Sequence, residues 1–523
     1  MKVKTRFAPS PTGFLHIGGL RGALYAYLFA KQNKGKLVLR IEDTDRSREV
    51  KGAVPSLVQT LQKMGIKWDE GPFMNKTLDV KEKGQNKPYF QSKRLDIYQS
   101  YAQKLIDSGN AYYCFCSPER LAKLRQEQQA KKQPSKYDGC CREKNRRPLD
   151  AARDRPKIED RLVLRSPKDE GGRSKTDLSS EVRRTKEEDR RSMNKDQFVI
   201  RLKVPENGEV GFKDLIRGRV NFQMEDIDDQ ILIKSDGYPT YHLAVVVDDH
   251  LMGITHVIRG EEWISPTPKH ILIYKALGWE LPQFAHLPLL LNPDHSKLSK
   301  RQGDVAVEDY LEKGYLPEAL INYVALLGWH PKDDREIFSL KGLIKEFDIK
   351  RVQKGGAIFD LEKLNWFNCH YIRQKSSKEL LKLCQKFLPD IDKKLLLKIL
   401  EIQKERLETI SEIGERAKFF FKLPDYEAKL LIFKKSDEEK TKLGLKKVLE
   451  KLQTVKEKDW KTGRLKDCLT NIVKENNLTN GDVFWPARVA VSGLEKSPPP
   501  EEVMDVLGKE ESLTRIKKGI DKL

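Results

Sequence analysis

Near the start of the chain the apolar residues change period twice. Val3 to Ala8 reads as a short strand, Pro9-Ser10-Pro11-Thr12-Gly13 interrupts it, and from Ile17 onward Leu20, Leu24, Tyr27 and Leu28 recur on one helical face. Lys36 to Glu42 returns to strand character. Strand, helix and strand in that order predict a β-α-β unit on a parallel sheet. Helical spacing resumes from Ser92 to Gly109, after which Tyr112 to Cys116 and the stretch up to Gln197 break the rhythm and read as an insertion. Between Arg142 and Lys195 charge crowds out apolar residues, which predicts a mobile segment, because little burial is available to offset the entropy of ordering. Strand signals return at Phe198 to Val204, Gln230 to Ile233 and Thr255 to Arg259, the last feeding a helix expected at Glu261. The α/β part is therefore split. Beyond about Phe359 the pattern becomes amphipathic helix, with Leu396, Ile399, Leu400, Leu407 and Ile410 expected along one face, so the C-terminal third is predicted nearly all helical.

Length and charge narrow the class. A chain of 523 residues exceeds one ordinary domain, and about two to four packed units are expected. The 99 Lys and Arg against 78 Asp and Glu leave a formal charge of +21, which suits a polyanionic partner but equally a lysine-rich soluble protein. No stretch approaches the ~20 apolar residues that span a bilayer, so no membrane partner is expected. Met1-Lys2-Val3-Lys4 leads straight into a strand, which leads us to expect no presequence and a cytoplasmic setting. Seven cysteines, with only Cys114, Cys116, Cys140 and Cys141 clustered, point to reduced thiols rather than a disulfide framework.

Three sets of residues could carry chemistry. Thr12 to Gly19 lies where a strand ends and a helix begins, so unpaired backbone N–H groups face a loop in which Gly13, Gly18 and Gly19 admit a ligand and His16 offers a hydrogen bond to phosphate. A glycine turn with a surface histidine is the structural alternative. Far downstream, Lys297-Leu298-Ser299-Lys300-Arg301 places three cations and a hydroxyl on a polar loop able to close over a triphosphate; alone, it also suits a solvated basic loop. Arg6, Glu42 and Arg259 fall near predicted strand ends, where ligands of open parallel sheets bind; two cations suit a dicarboxylate and Glu42 an ammonium. A surface salt-bridge network of Glu42 and Asp43 with Arg40 and Arg46 remains the alternative.

The combination is specific. His16-Ile17-Gly18-Gly19 and Lys297-Leu298-Ser299-Lys300-Arg301 resemble, in this order, the HIGH and KMSKS patterns of class I aminoacyl-tRNA synthetases, with Gly for the last His, Leu for Met and Arg for the final Ser. Arg6 to Gly13, Ile41-Glu42-Asp43-Thr44-Asp45, Tyr238 to His242 and Asp248 to Gly253 resemble the bacterial-type glutamyl-tRNA synthetases. Similarity resumes at Ala357 to Leu364 and Pro486 to Gly493.

The resemblance implies a glutamate-site lining of Arg6, Ala8, Ser10, Glu42, Tyr241, Val245 and Arg259, where the family often has Asn at the position of Val245. It assigns ATP to His16, Gly18, Gly19, Glu262, Lys297, Leu298, Ser299, Lys300 and Arg301, with His16, Lys297, Ser299 and Lys300 catalytic. Cys114, Cys116, Tyr137 and Cys141 are similar to a zinc-bearing insertion of some members, but Glu143 stands where a His is expected, so uncoordinated thiols and no metal are expected. The implied fold is α/β: a Rossmann-like parallel-sheet catalytic domain with an inserted α+β domain, followed by an all-α C-terminal anticodon-binding region. The expected boundaries are 1–98 and 236–300 for the catalytic domain, 99–235 for the acceptor-binding insertion with its charged segment near 142–197, 301–375 for a stem-contact region and 376–523 for the helical domain. The implied reaction activates L-glutamate with ATP and Mg2+ and transfers it to tRNA(Glu), with tRNA(Gln) open as a second acceptor; a monomer without DNA or membrane partners is expected. A glutaminyl enzyme, a nucleotidyltransferase of the same superfold and an inactive RNA-binding relative are the rivals. The long helical C-terminal part and the presence of His16, Lys297 and Lys300 weigh against them.

Overall fold

The computed structural model describes residues 2–75, 77–142, 198–298 and 306–523. Ser299, Lys300, Arg301 and Glu143, and the expected mobile segment beyond Arg142, lie outside the described residues. The chain divides into two compact units, Met1–Arg301 with Val324–Phe359, and Gln302–Tyr323 with Asp360–Leu523.

In the first unit the strands are β1 (Lys4–Phe7), β2 (Lys36–Leu39), β3 (Gly71–Met74), β4 (Val80–Lys83), β5 (Ala111–Cys114), β6 (Val199–Leu202), β7 (Glu209–Asp214), β8 (Gly218–Gln223), β9 (Ile231–Ile233), β10 (His256–Gly260), β11 (Gln283–Leu287), β12 (Leu290–Leu291) and β13 (Ala357–Ile358). The main sheet runs β2-β1-β10-β11-β7-β8. Its first five strands are parallel and β8 closes the edge antiparallel to β7. From the stretch 99–235, β5, β6 and β9 form a separate three-stranded antiparallel sheet, while β7 and β8 extend the main one.

Helix α1 (Ile17–Gln32) makes the first crossover. Leu20, Leu24, Tyr27 and Leu28 are buried as the spacing requires, but so are Arg21 and Tyr25 on the other side. That second side is covered by the returning segment of the same unit: Tyr25 Oη donates to the carbonyls of Ala325 and Leu327, both at 3.0 Å, and Arg21 Nη1 to Leu327 O at 3.1 Å. A helix buried on both sides needs polar groups there to satisfy the carbonyls it meets.

The further helices of this unit include α2 (Ala53–Lys63), α3 (Leu95–Asp107), α4 (Pro118–Ala130), α5 (Tyr241–Leu251) and α6 (Thr267–Ala276). After β10 the expected helix at Glu261 is only a 3-10 turn, Glu261–Trp263, and α6 starts at Thr267. Pro266 and Pro268 account for the delay, since proline is tolerated in a first turn but biases the residue before it away from helix.

The second unit is helical. Leu396, Ile399 and Leu400 are buried on one helix, Lys393–Gln403, whereas Leu407 and Ile410 are buried beyond its end rather than along its face. Arg515, 2% exposed, donates to the carbonyls of Phe419 at 2.7 Å, Val491 at 2.8 Å and Phe420 at 3.4 Å. These carbonyls end the helices Ile413–Phe421 and Asn480–Ser492, so one guanidinium satisfies two helix C-termini. Arg515→Met is expected to destabilise this unit by about 2–3 kcal/mol, read as a lower midpoint in urea unfolding followed by tryptophan fluorescence.

Candidate active site

From β1 the chain crosses to β2 on one side, and from β10 to β11 on the other, so the order of the parallel sheet reverses between β1 and β10. The crevice beyond the carboxyl ends of strands at such a reversal is where open α/β sheets bind ligands. Arg6 and Arg259 are the penultimate residues of β1 and β10, and both are buried. Pairing between β1 and β2 continues past the strands. The N–H of Arg40 donates to Phe7 O and that of Glu42 to Pro9 O, each at 3.0 Å, which sets Glu42 beside the loop carrying Ala8 and Ser10.

Opposite lies α5, whose residues Tyr241, Val245 and Asp249 recur every fourth position and so share a face. Asp249 accepts from Arg6 Nε at 3.2 Å and Arg40 Nη1 at 2.8 Å. Arg40 also pairs with Glu42 at 3.1 Å and with Asp248 at 3.6 Å. Asp248 in turn accepts from Arg94 Nε, Tyr98 Oη and Gln91 Nε2. The pairing of Arg40 with Glu42 that the sequence allowed is therefore present, but buried rather than on the surface. Val245 is buried one turn from Tyr241, on the same face of α5, among the apolar core residues.

Charge in this cluster does not balance. Arg6, Arg40, Arg94 and Arg259 stand against Glu42, Asp248 and Asp249, four guanidinium groups against three carboxylates. Burial, opposed by Arg40 and Arg6, pushes the Glu42 carboxyl up to about 7. Arg259 has no carboxylate within ion-pair distance among the described residues; its N–H groups reach Tyr241 Oη at 3.2 Å, Thr267 Oγ1 at 2.7 Å, and ring nitrogens of His270 and His286 at 3.2 Å each. Arg6 lies near enough to act on it electrostatically. Two like charges held together in a dry crevice raise its affinity for an anion.

The second part of the site starts at α1. His16 is its N-cap: Nδ1 accepts from the N–H of Gly18 at 3.0 Å and of Gly19 at 3.3 Å. A ring nitrogen that accepts carries no proton, so the proton of the neutral ring sits on Nε2 as a donor on the exposed side. Glycine at both positions lets the His16 and Leu15 side chains lie close against the first turn. A Cβ on Gly18 would stand 2.8 Å from His16 Cε1, and one on Gly19 2.8 Å from Leu15 Cδ1.

The downstream loop comes back to this spot. Lys297 bridges antiparallel to Leu291, the N–H of Leu298 donates to Leu290 O at 2.9 Å, and Leu290 Cδ1 lies 3.8 Å from where a Cβ of Gly18 would be. Lys297 and Leu298 thus leave a strand packed against the His16 cap, with the Lys297 side chain exposed. Glu262, also exposed, follows β10 and folds its carboxylate against Gly260. Of the described residues predicted for the site, Arg6 and Arg259 lie at the carboxyl edge of the sheet, Ala8, Ser10, Glu42, His16, Glu262, Lys297 and Leu298 follow strands, Gly18 and Gly19 open α1, and Tyr241 and Val245 lie on α5. Asp248, Asp249, Arg94, His270 and His286, which the structure joins to Arg6, Arg40 and Arg259, did not stand out in the sequence. Two adjacent aspartates closing the apolar run Leu243 to Val247 were the available signal, because buried carboxylates demand partners.

Cys114, Cys116 and Cys141 bring their sulfurs within 4.8 Å of one another. Tyr137 Oη lies 3.4 Å from Cys114 Sγ and 3.3 Å from Cys116 Sγ. Burial pushes the Cys116 thiol up to about 12. Three gathered thiols could hold a soft divalent cation such as zinc at three corners of a tetrahedron, whereas the sequence, with Glu143 where a histidine would stand, favoured uncoordinated thiols.

Comparison with known proteins agrees with this fold. Residues 2–178 and 157–366 match the family of class I tRNA synthetases (E and Q), catalytic domain, and residues 379–520 match an anticodon binding domain. Glutamate–tRNA ligase of Alkaliphilus metalliredigens is 44% identical, with 98% of each chain covered, and that of Finegoldia magna 43% identical over the whole of both. A crystal structure of a glutamate tRNA ligase from Elizabethkingia meningosepticum in complex with its amino acid superposes with a TM-score of 0.80 at 35% identity, covering all of both chains. Relatives matched from end to end at 43% and 44% identity, with both family models on the same chain, show the membership: the chain belongs to the glutamate–tRNA ligases, within the class I tRNA synthetases.

Proposed function

We propose that L-glutamate binds in the crevice between β1 and β10 and that recognition rests on its charge. Glutamate–tRNA ligases join glutamate to tRNA with ATP; how these side chains do it is our reading. The observation that carries it is the surplus guanidinium. Glutamate has two carboxylates and one ammonium, a net charge of minus one, which neutralises four guanidinium groups and three ionised carboxylates. Glutamine has no net charge and leaves one buried cation unanswered. Arg259 and Arg6 take the two carboxylates, Tyr241 donates its hydroxyl proton to one of them, and Glu42 accepts from the ammonium. Ala8, Ser10 and Val245 line the space between.

ATP lies along the α1 end, taken as its Mg2+ complex with the ion on the phosphates. Gly18 and Gly19 allow close approach, Glu262 borders the nucleotide, and Nε2–H of His16 donates to the α-phosphate as the glutamate carboxylate attacks it. Lys297 and Leu298 lead into the loop whose Ser299, Lys300 and Arg301 complete the cationic cover over the departing pyrophosphate. Glutamyl-adenylate then passes its acyl group to the terminal ribose of tRNA(Glu), held by the region 99–235 near the acceptor end, by 301–375 along the stem and by 376–523 at the anticodon. The excess of basic residues favours this polyanion. No described helix is long and apolar enough to cross a membrane, and we take the protein to act in the cytoplasm as a monomer. Aminoacylation with radiolabelled glutamate or glutamine tests the reading: kcat/KM for glutamine is expected at least about a hundredfold lower, and equal use of both would overturn it. The same assay on tRNA(Gln) reads the second acceptor directly.

Two further outcomes follow. His16→Asn keeps an acceptor near the Nδ1 position while removing the Nε2 donor; stability should change by less than about 0.5 kcal/mol while kcat falls about a hundredfold or more, seen by thermal unfolding beside aminoacylation. For Glu42 the ionised form takes the ammonium, so KM for glutamate should fall as pH rises through about 7, and Glu42→Gln should raise KM and flatten the profile. The stability sign is opposite. A carboxyl whose folded pKa is raised binds its proton more tightly folded than unfolded, so its contribution to stability declines as pH rises from the ordinary 4.5 through about 7. The midpoint of Glu42→Gln relative to the parent should therefore be more favourable at about pH 8 than at about pH 5.

A further inference from the structure

Arg259 is held by neutral acceptors, and two of them accept only in one protonation form. Nε–H donates to His286 Nε2 at 3.2 Å and Nη2–H approaches His270 Nδ1 at 3.2 Å. An imidazole nitrogen offers a lone pair only when the ring's proton is on the other nitrogen or absent. For His286 that proton lies on Nδ1 and goes to Asp214 Oδ2 at 2.7 Å. Asp214 is itself fixed by the N–H groups of Ile216 and Arg217, both at 2.9 Å. For His270 the proton lies on Nε2 and goes to His242 Nδ1 at 3.0 Å. Thus Asp214 on β7 acts through His286 on β11, and His242 on α5 through His270 on α6, each chain ending on the same guanidinium. Burial lowers the pKa of all three rings, His242 to about 4, so they are uncharged at neutral pH. Phe284 lies nearly parallel to His286, 6.2 Å between ring centroids.

We infer that Asp214 and His242 are positioning residues for amino-acid recognition: by setting the tautomers of His286 and His270 they aim two lone pairs at Arg259, fixing the plane of its guanidinium without neutralising it. A carboxylate in direct contact would hold Arg259 equally well but would compete with the substrate. Four N–H bonds are taken by Tyr241, Thr267, His270 and His286, which leaves one of the five, on Nη1, for the substrate carboxylate. The inference rests on Arg259 receiving a glutamate carboxylate.

The test uses the full chain and compares KM for glutamate with KM for ATP in aminoacylation. Asp214→Asn presents an N–H to His286 Nδ1, moves the ring proton to Nε2 and turns a donor toward Arg259. KM for glutamate should rise about ten- to hundredfold with KM for ATP within about twofold. His270→Leu should do the same, whereas His270→Asn, whose Oδ1 restores an acceptor at the Nδ1 position, should recover most of the loss. A purely structural role would lower the thermal midpoint and affect both KM values together, and would leave His270→Asn no better than His270→Leu; either result overturns the inference. Arg259→Gln separates the two levels of the argument. If it leaves KM for glutamate unchanged, the placement of the substrate carboxylate is wrong; if it raises KM while Asp214→Asn and His270→Leu do not, only the positioning inference fails.

Discussion

A buried cation without an anionic partner is the constraint around which the catalytic unit is organised. Burying Arg259 at 8% exposure beside Arg6 is unfavourable in the free protein, since burial and the neighbouring charge both disfavour its protonated state. The surroundings answer that cost partially and by kind. Arg6, Arg40 and Arg94 are tied to Asp248, Asp249 and Glu42, while Arg259 receives lone pairs only. On the proposed reading, the charge left unanswered is what suits the crevice to an anion of the right count.

The scaffold makes this possible by where its strands end. The reversal of sheet order between β1 and β10 brings Arg6 and Arg259 side by side at the carboxyl edge, and α5 crosses with its aspartates opposite. The helix cap of His16 belongs to the same economy of groups: one nitrogen completes the first turn of α1, and that bond determines that the other nitrogen is a donor. The return of Lys297 and Leu298 along Leu290 and Leu291 joins a motif from far along the chain to that cap.

Much of this was legible from the sequence. The β-α-β opening, the burial of Leu20, Leu24, Tyr27 and Leu28, and the helical C-terminal part follow from apolar period alone, and Arg6 and Arg259 were placed near strand ends by the same reading. What stayed hidden depended on pairing across distance. Spacing shows that Asp248 and Asp249 close an apolar helix, but not that Arg6, Arg40 and Arg94 reach them; it shows His242, His270 and His286 as separate histidines, not that His270 and His286 accept from one guanidinium with His242 behind His270. The membership of β7 in the main sheet was hidden for the same reason, because strand order is set by contacts that the linear pattern does not carry.

Calorimetric titration of the protein with glutamate at about pH 7, repeated in buffers of different ionisation enthalpy, counts the protons exchanged on binding. With Glu42 poised at about 7 and required in its ionised form to balance the crevice, binding should release roughly half a proton per glutamate, and none in Glu42→Gln. Binding with no proton release in the parent protein, or release that persists without the Glu42 carboxyl, would contradict the charge balance on which the account stands.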